Sequence, residues 1–174
     1  MGWARISIAT LAAATAAACS PALDWREFVP EGSGLNVTFP CRPDRYARKV
    51  TVAGSVVPMQ MLVCSAADTT FSVSYLDLAD PSRVETTLEA LHAIAAGNVQ
   101  GRELIAVPLQ MKGMTASDQA LRLSVAGRLP DGAVVQEHAV FFSRGLRVYQ
   151  ATVIGAKPSA QVVETFLGGL RFPA

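Results

Sequence analysis

Two cysteines set almost symmetrically about a turn constrain this chain more than any other feature. Residues 48–64 read "RKVTVAGSVVPMQMLVC". Two valine-rich runs flank Ala53-Gly54-Ser55, the pattern of two strands joined by a tight turn. Residues that face each other across a hairpin share a common midpoint. For Cys41 and Cys64 that midpoint falls between residues 52 and 53, within a residue or two of the turn. The pair then sits across neighbouring strands, or nearly so, inside the Cα separation of about 7 Å that a disulfide allows. Closing a loop of about 20 residues in this way contributes roughly 3 kcal/mol. The alternative is a pair of buried free thiols.

The compartment bears on that choice. Residues 6–18, "ISIATLAAATAAA", are small and apolar without a charge, and Arg5 precedes them. A basic residue, a short apolar run and small residues at its end make a secretory signal over residues 1–18. The run is shorter than the roughly 20 residues that span a bilayer. A retained, uncleaved anchor is the alternative. Export implies an oxidising space, where disulfides persist and an odd cysteine needs a reason. The chain has three cysteines. Pairing Cys41 with Cys64 leaves Cys19.

Cys19 follows Ala16-Ala17-Ala18 at the end of the apolar run. The arrangement resembles the lipobox of bacterial lipoprotein precursors. That resemblance implies cleavage before Cys19 and its conversion to an acylated, palmitate-bearing residue. Such precursors usually carry Leu three residues before the cysteine, where this chain has Ala16. Ala-x-Ala also suits ordinary signal peptidase, which would leave Cys19 as an unpaired thiol. Pairing two cysteines and lipidating the third leaves no remainder. Ser20, in place of an Asp after the cysteine, favours the outer membrane by the same resemblance to Gram-negative lipoproteins. Three acyl chains would hold a small domain at a bilayer, since each buried CH₂ contributes about 0.8 kcal/mol. Residues 19–34, with two prolines, two glycines and little periodicity, are expected as a lipidated tether leading into the domain, with Trp25 and Phe28 as the residues that could pack back on it. Residues 35–174 are expected as a single domain.

Strand-like runs follow at Leu35–Phe39, Arg45–Val52, Val56–Cys64 and Thr70–Leu78. In the last, Phe71, Val73 and Tyr75 alternate with Ser72 and Ser74, as in a half-buried strand. "ADPSRVETTLEALHAIAAGN" is a helix by its spacing of Val84, Leu88, Leu91 and Ala95, with Ser82 and Glu85 as a capping box. Further strands are expected near Leu104–Lys112, Ser117–Arg128, Ala133–Ser143 and Leu146–Ile154, with turns at "LPDGA" and "SRGL". A short helix capped by Ser159 buries Val162, Val163, Phe166 and Leu167, and Leu170–Phe172 adds a last short strand. Strands, helix, antiparallel meander and helix define an α+β domain, an antiparallel β-sheet with two helices packed on one face. The other face is left for solvent or a partner.

Chemistry-bearing motifs are sparse. Without residues 1–18 the chain loses Arg5 and no acid, so basic and acidic residues balance. No strong field or basic, aromatic-studded cluster remains, which argues against nucleic acid as a partner. Glu89 and His92 form a lone Glu-x-x-His, whereas helical metal sites of that type need two. His138 lies in a strand as a sheet-surface residue. Nucleophile motifs and a phosphate-binding Gly-rich loop are missing. Asp77 and Asp80 flank a helix start, where acids usually cap. Met59, Met61, Met111 and Met114 are a mild surplus that suits core packing better than Cu(I). No catalytic, metal or cofactor-binding residue is assigned, and no cofactor is expected.

"FSVSYLDLADPSRV", "LPDGAVVQEHAVFFSRGLRVYQATV" and "VVETFLGGLRF" together carry a family likeness. Over about residues 35–172 the chain resembles uncharacterised bacterial envelope proteins with a PsbP/Mog1-like domain. The resemblance implies a binding or assembly module and transfers no residue role. The expected protein is therefore non-enzymatic, lipid-anchored and periplasm-facing in a bacterial envelope. Its partners are the membrane, through Cys19, and a protein near it. An envelope enzyme of unrecognised type would instead gather polar groups around His92 or His138. A carrier of a small apolar ligand would hold a dry cavity between helices and sheet.

Overall fold

The computed structural model describes residues 22–173, so the expected signal sequence and Cys19 lie outside the described residues. Seven strands form one antiparallel sheet: β3 (Asp44–Val52), β4 (Ser55–Ala66), β5 (Thr69–Asp77), β6 (Arg102–Pro108), β7 (Leu121–Arg128), β8 (Val134–Arg144) and β9 (Arg147–Gly155). Their order across the sheet is β3-β4-β5-β9-β8-β7-β6. A second, two-stranded sheet pairs β1 (Arg26–Phe28) with β2 (Val37–Phe39). The helices are α1 (Val84–Asn98) and α2 (Ala160–Leu167). The domain is α+β.

Local chemistry sets most of the boundaries. The β3–β4 hairpin turns at Ala53 and Gly54, both at positive φ (47° and 74°), the geometry that matches strand twist in a two-residue loop. Asp44 pairs with Val63, so Pro43 stands opposite Cys64 and Cys41 reaches it from the loop two residues further on. The Cys41–Cys64 disulfide forms, with the Cα atoms 6.0 Å apart. β6 ends at Pro108, short of the expected Lys112, with one further backbone bond from the Leu109 N–H to the Ala120 carbonyl at 2.8 Å. β7 starts at Leu121, not Ser117. The Ser117 side chain accepts from the Gln119 N–H and makes a local turn instead. The last expected strand is reduced to one bridge, Asn36 to Arg171.

The helices do not share a face, which corrects the expected arrangement. In β8, Ala139 and Phe141 face α1, whereas Val140 and Phe142 face the α2 side. Alternate residues of one strand point to opposite faces, so the two helices lie on opposite sides of the sheet. The α1 core joins Leu88 and Leu91 to Leu76, Leu123, Phe141 and Val148. The α2 core joins Val163 and Phe166 to Val37, Phe39, Phe71, Val73 and Tyr149. Phe166 meets Phe39 and Phe71 with ring centroids 5.2 Å from each, edge to face.

The expected tether contributes to this second core. Arg26–Phe28 pair with Val37–Phe39, and Trp25 stands edge-on to Phe71 at 5.9 Å. Tyr149 donates to the Ser33 carbonyl at 2.7 Å, and the Arg147 guanidinium to that of Gly32. Residues 24–34 are thus held on the sheet, because Trp25 and Phe28 gain more from burial than the Pro/Gly content of the segment costs.

The start of α1 also differs from expectation. Asp80, not Ser82, is the cap: its carboxylate accepts from the Ser82 N–H at 2.9 Å and opens a 3-10 turn over Pro81–Arg83. Glu85 does not close a capping box but accepts from the Ser117 hydroxyl at 2.9 Å. The far end of α1 is fixed by a close backbone crossing. A Cβ on Gly127 would stand 2.1 Å from the Val99 carbonyl, so only glycine lets the chain after α1 pass over β7.

Candidate functional site

α1 covers only part of its face of the sheet, and a groove of about 390 Å³ lies along its flank. That volume falls within the range of small-molecule sites. Leu91, Ile94, Asn98 and Val99 form the helix wall, and Arg48 and Val50 on β3 form the opposite rim. The floor is the set of side chains that alternate with the α2 core. Ser72 and Ser74 alternate with Phe71, Val73 and Tyr75 on β5, and Gln150 and Thr152 with Tyr149, Ala151 and Val153 on β9. The period of two that buries one set under α2 delivers the polar set to the groove. The Gln150 amide donates to the Thr152 hydroxyl at 3.2 Å. Met59 and Met61 add thioethers on β4.

Glu137 on β8 completes the lining and is the least expected group in it. The residue is 4% exposed. Its cross-strand neighbours are Val125 and Ile154, and Val135 flanks it on the same strand face. No described residue donates a hydrogen bond to its carboxyl, and burial pushes that carboxyl up to about 7. Arg48 is the other charged group in the lining, and its Nη2 sits 3.8 Å from the Met61 sulfur. A carboxyl of this kind changes charge near neutrality and has its lone pairs free for a donor or a cation.

The histidines do not converge on it. His92, on α1, packs edge-on against Phe141 at 4.6 Å, and burial lowers its pKa. His138 lies on the opposite face of the sheet, bonded to Ser124 at 2.9 Å, with burial and then the Arg122 guanidinium lowering its pKa. Among the described residues no three His, Cys, Asp or Glu side chains group as metal ligands, those around Glu89 and His92 included. Met59 and Met61 line the groove, whereas Met111 and Met114 pack against the α2 core, so the four thioethers do not meet. Asp77 is engaged in a two-point ion pair with Arg147, at 2.6 and 2.7 Å, and Asp80 in its cap. Cys41 and Cys64 are joined and lie on the α2 side. Among the described residues no helix is long and apolar enough to cross a membrane.

Glu137 was legible as an anomaly and missed. In "VVQEHAVFF" it shares a strand face with Val135, Ala139 and Phe141, an acid among otherwise apolar positions. An acid in that pattern is buried, and a buried acid without a partner needs explaining.

An α+β domain with one large sheet between two helices, and one groove carrying an unpartnered carboxyl, is the class that fold and site define. No family model matches the chain, and no curated protein does. Two solved structures align with it at low similarity. A crystal structure from Bacteroides thetaiotaomicron aligns with 85% of this chain at 12% identity and a TM-score of 0.43. This chain spans about half (48%) of that protein's length. A protein of unknown function from Pseudomonas aeruginosa aligns with 80% of this chain and 85% of its own, at 12% identity and a TM-score of 0.38. Likenesses this distant carry no functional argument.

Proposed function

We propose that this protein is a non-enzymatic binding module of the bacterial envelope, anchored by a lipid on Cys19, that takes a small ligand into the groove beside α1. The observation that carries the binding role is Glu137, a buried carboxyl with no partner on the floor of a groove of ligand size. The anchor rests on the apolar run ending in Ala16-Ala17-Ala18-Cys19, and the Cys41–Cys64 disulfide is in keeping with an oxidising compartment. The resemblance of residues 35–172 to PsbP/Mog1-like envelope domains also favours a binding role.

The test has two parts. Intact mass of the native protein from its membrane fraction, alkylated without reduction, should show a chain beginning at an acylated Cys19 with no free thiol. A chain without acyl mass and with one alkylated cysteine overturns the anchor. The same gently released protein should carry a small molecule whose removal shifts the amide signals of Ser72, Gln150 and Thr152. A protein that carries none, or whose groove amides do not move when it is removed, overturns the binding role.

A further inference from the structure

The polar floor and apolar walls of the groove do not by themselves choose a ligand, but its charge distribution does. Glu137 and Arg48 are the two charged groups in the lining. They stand on β8 and β3, with β9, β5 and β4 between them. Four strand spacings of about 4.8 Å put them on the order of 19 Å apart across the sheet, too far for Arg48 to neutralise the acid. The groups packed around Glu137 are uncharged: Val125 on β7, Ile154 on β9, Val135 on its own strand and Val99 beyond α1. The residue is 4% exposed and its carboxylate has no donor or cation beside it among the described residues, a state that is kept only at a cost.

We infer that the groove selects a small molecule carrying one cationic nitrogen on an apolar body, with that nitrogen seated against the Glu137 carboxylate. The inference rests on the binding role proposed above and names the ligand's class. An ammonium or guanidinium group supplies what the site lacks, a positive charge with N–H donors. The hydrocarbon part lies against Leu91, Ile94, Met59 and Met61, which already line the groove. A neutral molecule of the same shape gains the second contact and not the first. An anion meets an acid at the floor. Selectivity of this kind is an affinity difference set by one charge.

Benzylammonium and benzyl alcohol, matched in shape and different in charge, are the probes. Each is titrated at pH 8 into the intact protein and into Glu137→Gln, with the amide signals of Ser72, Gln150 and Thr152 as the readout. Benzylammonium should bind at least tenfold more tightly than the alcohol to the native protein. Glu137→Gln should abolish that difference and leave the alcohol's affinity where it was. Equal affinities in the native protein, or a preference that survives Glu137→Gln, overturn the cationic ligand and spare the groove as a binding site. If neither probe moves the groove amides, both readings fall together. The thermal midpoint of Glu137→Gln confirms that the variant is folded before its binding is compared.

Discussion

The two faces of the central sheet are built by the same strands and end differently. On the α2 side, Phe71, Val73, Phe142, Tyr149 and Ala151 are covered by α2, β1 and β2. On the α1 side, the neighbouring positions Ser72, Ser74, Gln150 and Thr152 line an open groove beside the patch that α1 covers. One backbone thus produces a sealed core and an accessible floor, and the choice is made by residue type at alternate positions. The sealed side follows apolar area alone. The open side holds a carboxyl without a partner among the described residues, whose ionised form costs stability, and groups of that kind gather at candidate sites.

That contrast is broken most severely at Phe166. Phe166→Ala should cost about 3–5 kcal/mol, because the ring is fully buried between Phe39 and Phe71 and its removal leaves a cavity. Met61→Ala, on the half-buried groove side, should cost about 1 kcal/mol or less, since solvent already reaches the site. Urea unfolding of the two variants measures both. Comparable losses would mean that the groove is core, and the comparison would collapse.

Glu137 tests the open side directly, with the sign set by the raised pKa. Its carboxyl titrates near 4.5 when unfolded and at about 7 when folded. Between those values the native state binds more protons, so this group's contribution is fully favourable below about pH 4.5 and is lost as pH rises through 7. The loss is at most about 3 kcal/mol. Glu137→Gln should therefore match the native protein at pH 4 and exceed it in stability at pH 8. Asp80 and Glu164, whose pKa values are lowered by hydrogen bonds from Ser82 and Arg122, change stability in the opposite sense but cancel in the difference between the two proteins. Unfolding midpoints measured from pH 4 to pH 8 decide it. A pH-independent difference would show that Glu137 is solvated like any surface acid.

The same contrast explains which parts of the fold were legible. The β3–β4 hairpin, its disulfide and the α2 cap are encoded within a few residues each, and they form as read. Which helix covers which face is not a local property. Alternation tells which residues share a side, but the crossover between β5 and β6 decides where α1 goes. The one sequence sign was "AVFF" at 139–142, a run without alternation, which marks a strand buried on both faces. The groove inherits that difficulty, because Ser72 and Gln150 read as solvent-facing until α1 is placed beside them. Trp25 and Phe28 pack back on the domain as their type suggests, but that the segment also adds β1 to a second sheet was hidden by the prolines and glycines around them. At α1, Ser82-x-x-Glu85 matched a capping box, but Asp80 two residues earlier offers a stronger acceptor, and Pro81 fits the 3-10 turn it starts.

The smallest effect separates the two helix starts. The Ser159 hydroxyl accepts from the Val162 N–H and is the only side-chain cap on α2. Ser159→Ala should cost about 1 kcal/mol, a fall of roughly 3 °C in thermal midpoint for a domain of this size. Ser82→Ala should cost less than about 0.5 kcal/mol, because the bond that matters there runs from the Ser82 backbone N–H to Asp80 and survives the change. α1 has no side-chain cap at its first residue and rests on its buried stripe of Val84, Leu88, Leu91 and Ala95. α2 is eight residues long and needs both its cap and its aromatic anchor. Equal losses at Ser159 and Ser82 would place a capping box at α1 after all and would remove Asp80 from its role. A larger loss at Ser159 keeps the asymmetry: the short helix on the sealed side is held at its end, and the long helix beside the groove is held along its face.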